Sequence, residues 1–443
     1  MQAVPRLDAP SYRFPEPTVT TTSRGARILL LPMPTATTVT IGAMVTEGSA
    51  TEPELGMAHV VAALLSRGTR RRSEAEFVAA IDRLGASYNA TATRRSISAC
   101  IVGLPEHLPQ LVELLAESIL EPAFDEAELE KVRTFTLASF PVLLADASYR
   151  ARRIFQKLRY PGHPYGRPPQ GTPATVARIS ATAIRQWYDH LRTRCGWRII
   201  VIGAFTPDKI TAQLEQQFGA LCDAPRTMLP PPSEPSPAIG IGQSVLTEQV
   251  ELRLGHGTVP YTSPDYAATL LIATAFAGHF RSRVNLLLRE QEGLTYGAYG
   301  MLMASKSSGT FSVATSTTPP NVSRAMDLLL EQWRRLAIEP FSEEELHHAR
   351  QYLFGNFWRS VETPDAVASI AIELALNDLP PDFYTHLFRT MATLTPDDLL
   401  PVQQRVFDPA QLLVAAVGDQ DMLAHTLAAY GTPVPVLLEE EQQ

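Results

Sequence analysis

The chain has 443 residues, 45% hydrophobic and 19% charged, an ordinary globular balance at a length that suggests two to four domains. A net charge of −8 without a sustained basic stripe excludes nucleic acid as the expected partner. No apolar run approaches the roughly 18 residues of a membrane span, and no apolar stretch of a secretory leader follows Met1-Gln2-Ala3-Val4.

In chain order, Arg27–Pro32 and Thr38–Thr46 are β-branched and apolar and predict half-buried strands. Leu55–Ser66 predicts an apolar helix closed by Gly68, and Ser73 with Glu76 a capping box for a helix that Gly85 ends. Ser87–Leu104 alternates as strands; Leu108–Leu120 and Asp125–Ala145 predict helices. Pro230-Pro231-Pro232-Ser233-Glu234-Pro235-Ser236-Pro237 cannot enter a central strand or a helix interior and predicts a stiff linker over 229–240. Beyond it, Gln249–Gly255 predicts a strand, Pro264–Ala277 and Phe280–Gln291 helices, Leu294–Met303 and Gly309–Thr315 strands, and Asn321–Ala337 and Ser342–Ser360 helices.

The chain echoes itself. Phe124-Asp125-Glu126-Ala127-Glu128-Leu129 with Arg133 and Phe140 recurs as Phe341-Ser342-Glu343-Glu344-Glu345-Leu346 with Arg350 and Phe357, an offset of 217 residues. The apolar run Arg198–Gly203 recurs as Leu412–Gly418 at an offset of 215. Two echoes at nearly one offset predict duplicated domains at 17–228 and 241–432. Strand pairs separated by helix pairs make each an α+β unit, a largely antiparallel sheet flanked by helices.

Gly48-Ser49-Ala50-Thr51-Glu52-Pro53 leads into Gly56-Met57-Ala58-His59, followed by Ala62, Ala63, Gly68 and Thr69. This segment resembles the zinc-site segment of the pitrilysin-type (M16, inverzincin) metallopeptidases, G-S-x-x-E-P…G-L-A-H-x-x-E-H-x-L-x-x-G-T. In that family His-x-x-Glu-His supplies two zinc ligands and a general base, and a Glu on a later helix supplies the third ligand. Here His59 remains, the base position is Ala62, the second ligand position is Ala63, and the third falls on Ser139. The resemblance therefore implies a degenerate site, with no metal and no cofactor in this chain. It also implies two homologous domains facing each other across a cavity.

Phe280-Arg281-Ser282-Arg283 and Leu288-Arg289-Glu290-Gln291-Glu292-Gly293-Leu294-Thr295-Tyr296 resemble the family's F-x-S-R-L…L-R-E-x-x-G-L-x-Y. In zinc peptidases of this type that Arg and Tyr face the metal and grip the substrate carbonyl and the oxyanion that develops from it. The resemblance assigns these roles to Arg289 and Tyr296. Some non-catalytic partners carry a glycine-rich loop before this segment; here Ala275-Phe276-Ala277-Gly278-His279 has one glycine, so such a loop is not expected.

In some family pairs one subunit carries the zinc motif and the other the Arg/Tyr pair. The expectation is a non-catalytic, substrate-binding subunit of a heterodimeric zinc metallopeptidase. It is not an enzyme alone, and it acts on peptide with a homologous partner subunit that holds the zinc. A structural core subunit and a stand-alone peptide-binding protein are the alternatives. The expected location is the bacterial cytoplasm or periplasm, as a soluble chain. Cys100, Cys195 and Cys222 are too few for a disulfide framework; buried free thiols are the expectation, and a Cys195–Cys222 pair is the alternative. No ligand partner at usable spacing accompanies His107, His163 or His256, and His347-His348 reads as a solvated helix face.

Overall fold

The computed structural model describes residues 17–244 and 248–441. Six strands of the first half, β1 (Thr18–Thr21), β2 (Arg27–Pro32), β3 (Val39–Val45), β4 (Ser87–Ala92), β5 (Ile97–Gly103) and β6 (Trp197–Gly203), form one sheet in the order β1-β2-β6-β3-β5-β4. Six of the second half, β7 (Ala238–Gln243), β8 (Val250–Thr258), β9 (Ala298–Ala304), β10 (Gly309–Thr317), β11 (Leu413–Gly418) and β12 (Pro433–Pro435), form the other in the order β12-β7-β11-β8-β10-β9. From β2 and β7 onward the two orders are the same, so the sequence echo is an echo of topology. Only β2–β6, β7–β11 and β7–β12 run parallel; every other pair is antiparallel. This is the α+β architecture that the strand and helix pattern implies.

Differences from the sequence reading lie mainly at element ends. The strand signal over Ser87–Leu104 splits into β4 and β5 around a tight turn in which Thr93 and Ser96 bond each other. The apolar helix is shorter, Met57–Leu64, and the capping box of Ser73 with Glu76 forms as expected. Strand β7 begins at Ala238, inside the segment read as linker, and β12 lies beyond residue 432. The proline-rich segment is held by Arg159, which donates to Ser233 O and Glu234, and by His163, whose Nε2 lies 3.0 Å from Pro230 O.

The central strands are buried on both faces, and each face belongs to a different core. On β6, Ile199 and Val201 join the first-half helices, whereas Ile200 and Ile202 join the core of the second half. That second face is covered by the helix Pro364–Asn377, a second-half element. The converse holds for β11: Val414 and Ala416 face their own half, and Leu413, Ala415 and Val417 pack on Ala151, Ile154 and Phe155. Those three come from the first-half helix Ala147–Arg159. Gly240 and Gly242 on β7 admit this helix, because a Cβ at either would lie within 2.8 Å of Ile154 side-chain atoms.

Charge completes the seat. Arg150 pairs with Glu441, Arg153 with Glu439 and Glu440, and Lys157 with Glu439, so the chain's acidic end is fastened along the exchanged helix. Arg153 and Glu440 are both almost fully buried, and Tyr149 Oη also donates to Glu440. Removing one partner of such a pair strands the other charge and costs about 3–5 kcal/mol. Glu440→Ala should therefore lower the denaturant midpoint strongly, and adding Arg153→Met should recover part of the loss; an unchanged midpoint in Glu440→Ala would contradict the assignment.

Candidate functional site

The first-half segment keeps its frame. Residues 39–50 are continuously buried as β3 runs into the turn, and Gly48 sits so close to the β4–β5 turn that a Cβ would lie 2.3 Å from Thr93 O. Ser49 and Ala50 donate backbone N–H bonds to Thr93 O and Arg94 O there. Gly56, at φ +91°, precedes the helix Met57–Leu64 and has no side chain to cap it. Glu52 takes that role from a distance, accepting from Gly56 N at 2.9 Å and Ala58 N at 2.7 Å. Burial raises the Glu52 pKa to about 7, against the lowering effect of those two donors.

The chemistry does not accompany the frame. His59 is exposed on one side, while the protein around the rest of its ring desolvates it and lowers its pKa. Ala62 is 4% exposed in the first-half core and Ala63 packs against the same core. Ser139 lies on the helix Glu126–Ala145, which packs against Met57–Leu64, and its hydroxyl is spent on Thr136 O at 2.7 Å. Among the described residues no group of three His, Cys, Asp or Glu could hold a metal ion. One histidine between alanines, with a serine already bonded to its own helix, does not fit zinc.

In the second half the segment differs from the predicted helices. Pro264–Ala277 resolves into the helix Tyr266–Ala273 and a π-helical turn, Thr274–Gly278. Phe280–Gln291 resolves into a turn, one α turn at Arg283–Asn285, and a second π-helical segment, Leu286–Gln291. Wide hydrogen bonds, Glu292 N to Leu287 O and Leu294 N to Leu288 O, close it, and Gly293 at φ +63° turns the chain away. Such widened turns recur at functional positions because they rotate side chains off the helical register. Buried Asn285 ties the parts together: its amide donates to Phe280 O at 2.6 Å and accepts from Ala298 N at 2.8 Å. Strand β9 therefore starts at Ala298, four residues later than predicted, and Tyr296 precedes it.

Arg289 lies on the second π segment with its guanidinium over the Phe280 ring at 4.2 Å and 3.6 Å from Glu290. Tyr296 is 87% exposed and makes no hydrogen bond among the described residues. No hydrogen bond or ion pair joins Arg289 to Tyr296. Phe280, Tyr299 and Met301 are 59%, 71% and 55% exposed nearby in the chain. The support that Phe280 gives Arg289 went unread in the sequence, although their nine-residue spacing is part of the quoted segment.

Between the halves runs a crevice in two connected parts, of about 680 Å³ and 280 Å³, which share Arg94, Arg95 and Tyr165. None of His59, Ala62, Ala63, Ser139, Arg289 or Tyr296 lines it. Its arginines come from a helix, strands and turns distant in the chain, so no local sequence signal marks them. The other histidines have structural surroundings: burial drives the His256 pKa down to about 4, and His163 bonds the linker. All three cysteines are free.

The raised Glu52 pKa has a consequence for stability. Between the ordinary 4.5 and about 7, the folded chain keeps a proton that the unfolded chain has released. This group's contribution is therefore full below pH 4.5, declines as pH rises through about 7, and is constant above. Glu52→Gln should remove that slope, so the melting temperature of the wild type relative to the variant should be higher at pH 5 than at pH 8; a constant difference would refute it.

The insulinase model of peptidase family M16 matches residues 27–154, and the peptidase M16 inactive-domain model matches residues 178–353. An uncharacterized zinc protease of Bacillus subtilis is 24% identical over 352 residues, 79% of this chain and 85% of that protein. One of Streptomyces coelicolor is 24% identical over 396 residues, 87% of this chain and 86% of that protein. The crystal structure of a peptidase M16 inactive domain from Pseudomonas fluorescens superposes with a TM-score of 0.84 at 20% identity, covering 91% of this chain and 98% of that one. A protease from Helicobacter pylori gives a TM-score of 0.81 at 17% identity, over 91% and 99%. Two models of one family together match most of the chain, and the fold agrees with both solved structures: the chain belongs to peptidase family M16.

Proposed function

We propose that this chain is the substrate-binding, non-catalytic subunit of a heterodimeric zinc peptidase, with Arg289 and Tyr296 acting on peptide held by a zinc-bearing homologous subunit. The observation that carries this reading is the contrast between the two segments. The first has its reactive positions filled by Ala62, Ala63 and Ser139, whereas the second presents an unbonded phenol at Tyr296 and a guanidinium braced on Phe280.

The partner's zinc would supply the activated water. This chain's part is positioning and charge stabilisation. The Arg289 guanidinium, held by the Phe280 ring below it, grips a peptide carbonyl in the ground state and prefers the negative charge that develops on it. The Tyr296 hydroxyl donates a second hydrogen bond to the same oxygen, and its exposure leaves that donor free until substrate arrives. Phe280 and Tyr299 are exposed apolar side chains close in the chain to Arg289 and Tyr296, of the kind found on docking faces, which supports a partner here.

The purified chain should hold no stoichiometric zinc and cleave no peptide; metal analysis after dialysis that finds one tightly held zinc per chain would overturn the reading. Mixed with a zinc-bearing family member of similar length, it should form a 1:1 complex on size exclusion and raise peptide turnover. In that complex Tyr296→Phe should leave assembly intact and lower kcat on the order of 10²–10³-fold. Arg289→Ala should also raise KM, whereas His59→Ala should leave both constants nearly unchanged. Turnover lost in His59→Ala and kept in Tyr296→Phe would reverse the assignment of the working half.

A further inference from the structure

The crevice between the halves carries a charge pattern opposite to that of the whole chain. Eight arginine and lysine side chains line its two parts against three carboxylates, on a protein whose net charge is −8. The three carboxylates are engaged: Asp223 pairs with Arg27 and Arg198, Asp378 with Lys306, and Glu47 accepts from Thr227 N. Five arginines remain with no carboxylate partner among the described residues: Arg94, Arg95, Arg152, Arg226 and Arg253.

Neutral oxygens hold them instead. Arg94 Nε donates to Tyr165 O, and Arg253 Nη1 to Ser312 Oγ. Arg95 and Arg226 both donate to Leu376 O, in the last turn of the helix Pro364–Asn377, where the helix dipole gives the carbonyl partial negative charge. Arg95 also reaches Asn377 Oδ1. Arg152 has only the Tyr149 ring, 5.3 Å away. Donors are left over: Arg94 Nη2, Arg226 Nε and Arg253 Nε are enclosed and unbonded. Desolvation lowers the pKa of Arg94, Arg226 and Arg253 and neighbouring guanidinium groups lower it further, while Asp378 and Glu47 near Arg226 and Glu251 near Arg253 oppose this from beyond ion-pair distance. A structural ion-pair network would have brought in carboxylates; here the fold leaves the charge for something else to neutralise.

The walls between the guanidinium groups decide what kind of anion fits. Phe155, Tyr160, Met301, Met303 and Leu376 line the same part as Arg94, Arg95, Arg152 and Arg253. A phosphate calls for several donors converging on one point, whereas cations spaced by thioether and aromatic surface suit carboxylates spaced by apolar side chains. We infer that the crevice is a binding site for acidic peptide segments, in which glutamate or aspartate carboxylates meet Arg95, Arg152 and Arg253 and apolar residues rest on Met301 and Met303.

The site lies within one chain, so its test needs no partner and stands or falls apart from the roles of Arg289 and Tyr296. The full chain, purified alone, is titrated into a fluorescein-labelled peptide of alternating Glu and Leu, and into counterparts with Lys or Gln in place of Glu, with anisotropy as the readout. The Glu peptide should bind, more weakly as salt is raised, and the Lys and Gln peptides should not. Arg152→Gln and Arg253→Gln should each weaken binding on the order of tenfold. Arg194→Gln, an exposed arginine outside the crevice, should leave it unchanged. Arg152 is itself exposed and makes no hydrogen bond or ion pair among the described residues, so its replacement tests the site even where Arg253→Gln fails to fold. Equal binding of the Glu and Lys peptides, or unaltered affinity in Arg152→Gln, would overturn the inference. So would an affinity for inorganic tripolyphosphate without one for the Glu peptide, which would make the crevice a phosphate site.

Discussion

The structure depends on an exchange. Each sheet has one face that its own half cannot cover, and the helix that covers it is delivered by the other half: Ala147–Arg159 for the second sheet, Pro364–Asn377 for the first. Burying side chains such as Ile154 and Phe155 contributes roughly 1.5–3 kcal/mol each. The buried Arg153–Glu440 pair does little better than break even against its desolvation. Apolar contact therefore holds the helix on the sheet, and the ion pairs fix where along the sheet it sits. The halves cannot separate without exposing two apolar sheet faces.

This constraint explains why the first-half frame survives without its chemistry. Gly48 lets β3 pass against the β4–β5 turn, and the same turn presents Arg94 and Arg95 to the second half. Glu52 caps a helix whose Val60, Val61 and Leu64 are core residues. These positions serve packing and capping whether or not a metal is bound. Ala62 is buried in the core and Ala63 packs against it, so both positions now serve packing.

Much of this was legible in the sequence, for physical reasons that also set its limits. The duplication was readable because strand β6 and strand β11, and the helices Glu126–Ala145 and Glu343–Arg359, keep the apolar spacing that their buried faces demand. The exchange was not. The helix Ala147–Arg159 carries four arginines and a lysine, so its sequence reads as a surface helix, and only the acidic segment Glu439–Glu441 almost 300 residues later makes its burial possible. The π-helical segments escaped for a different reason. Their Leu and Ala spacing is that of an α-helix, and a shift of hydrogen bonding by one residue leaves no trace in hydrophobic periodicity.

Net charge was the least informative sequence property for binding, and the geometry shows why. A total of −8 describes the field far from the protein, which steers encounter and solubility. Recognition inside a crevice answers to charges within a Debye length, about 8–10 Å at ordinary salt. Arg94, Arg226 and Arg253 are scattered along the chain and line one two-part crevice only because exchanged helices lock the two halves together. The same interlock that makes the fold one body therefore gathers a positive interior within an acidic protein, and no count over the sequence could register it.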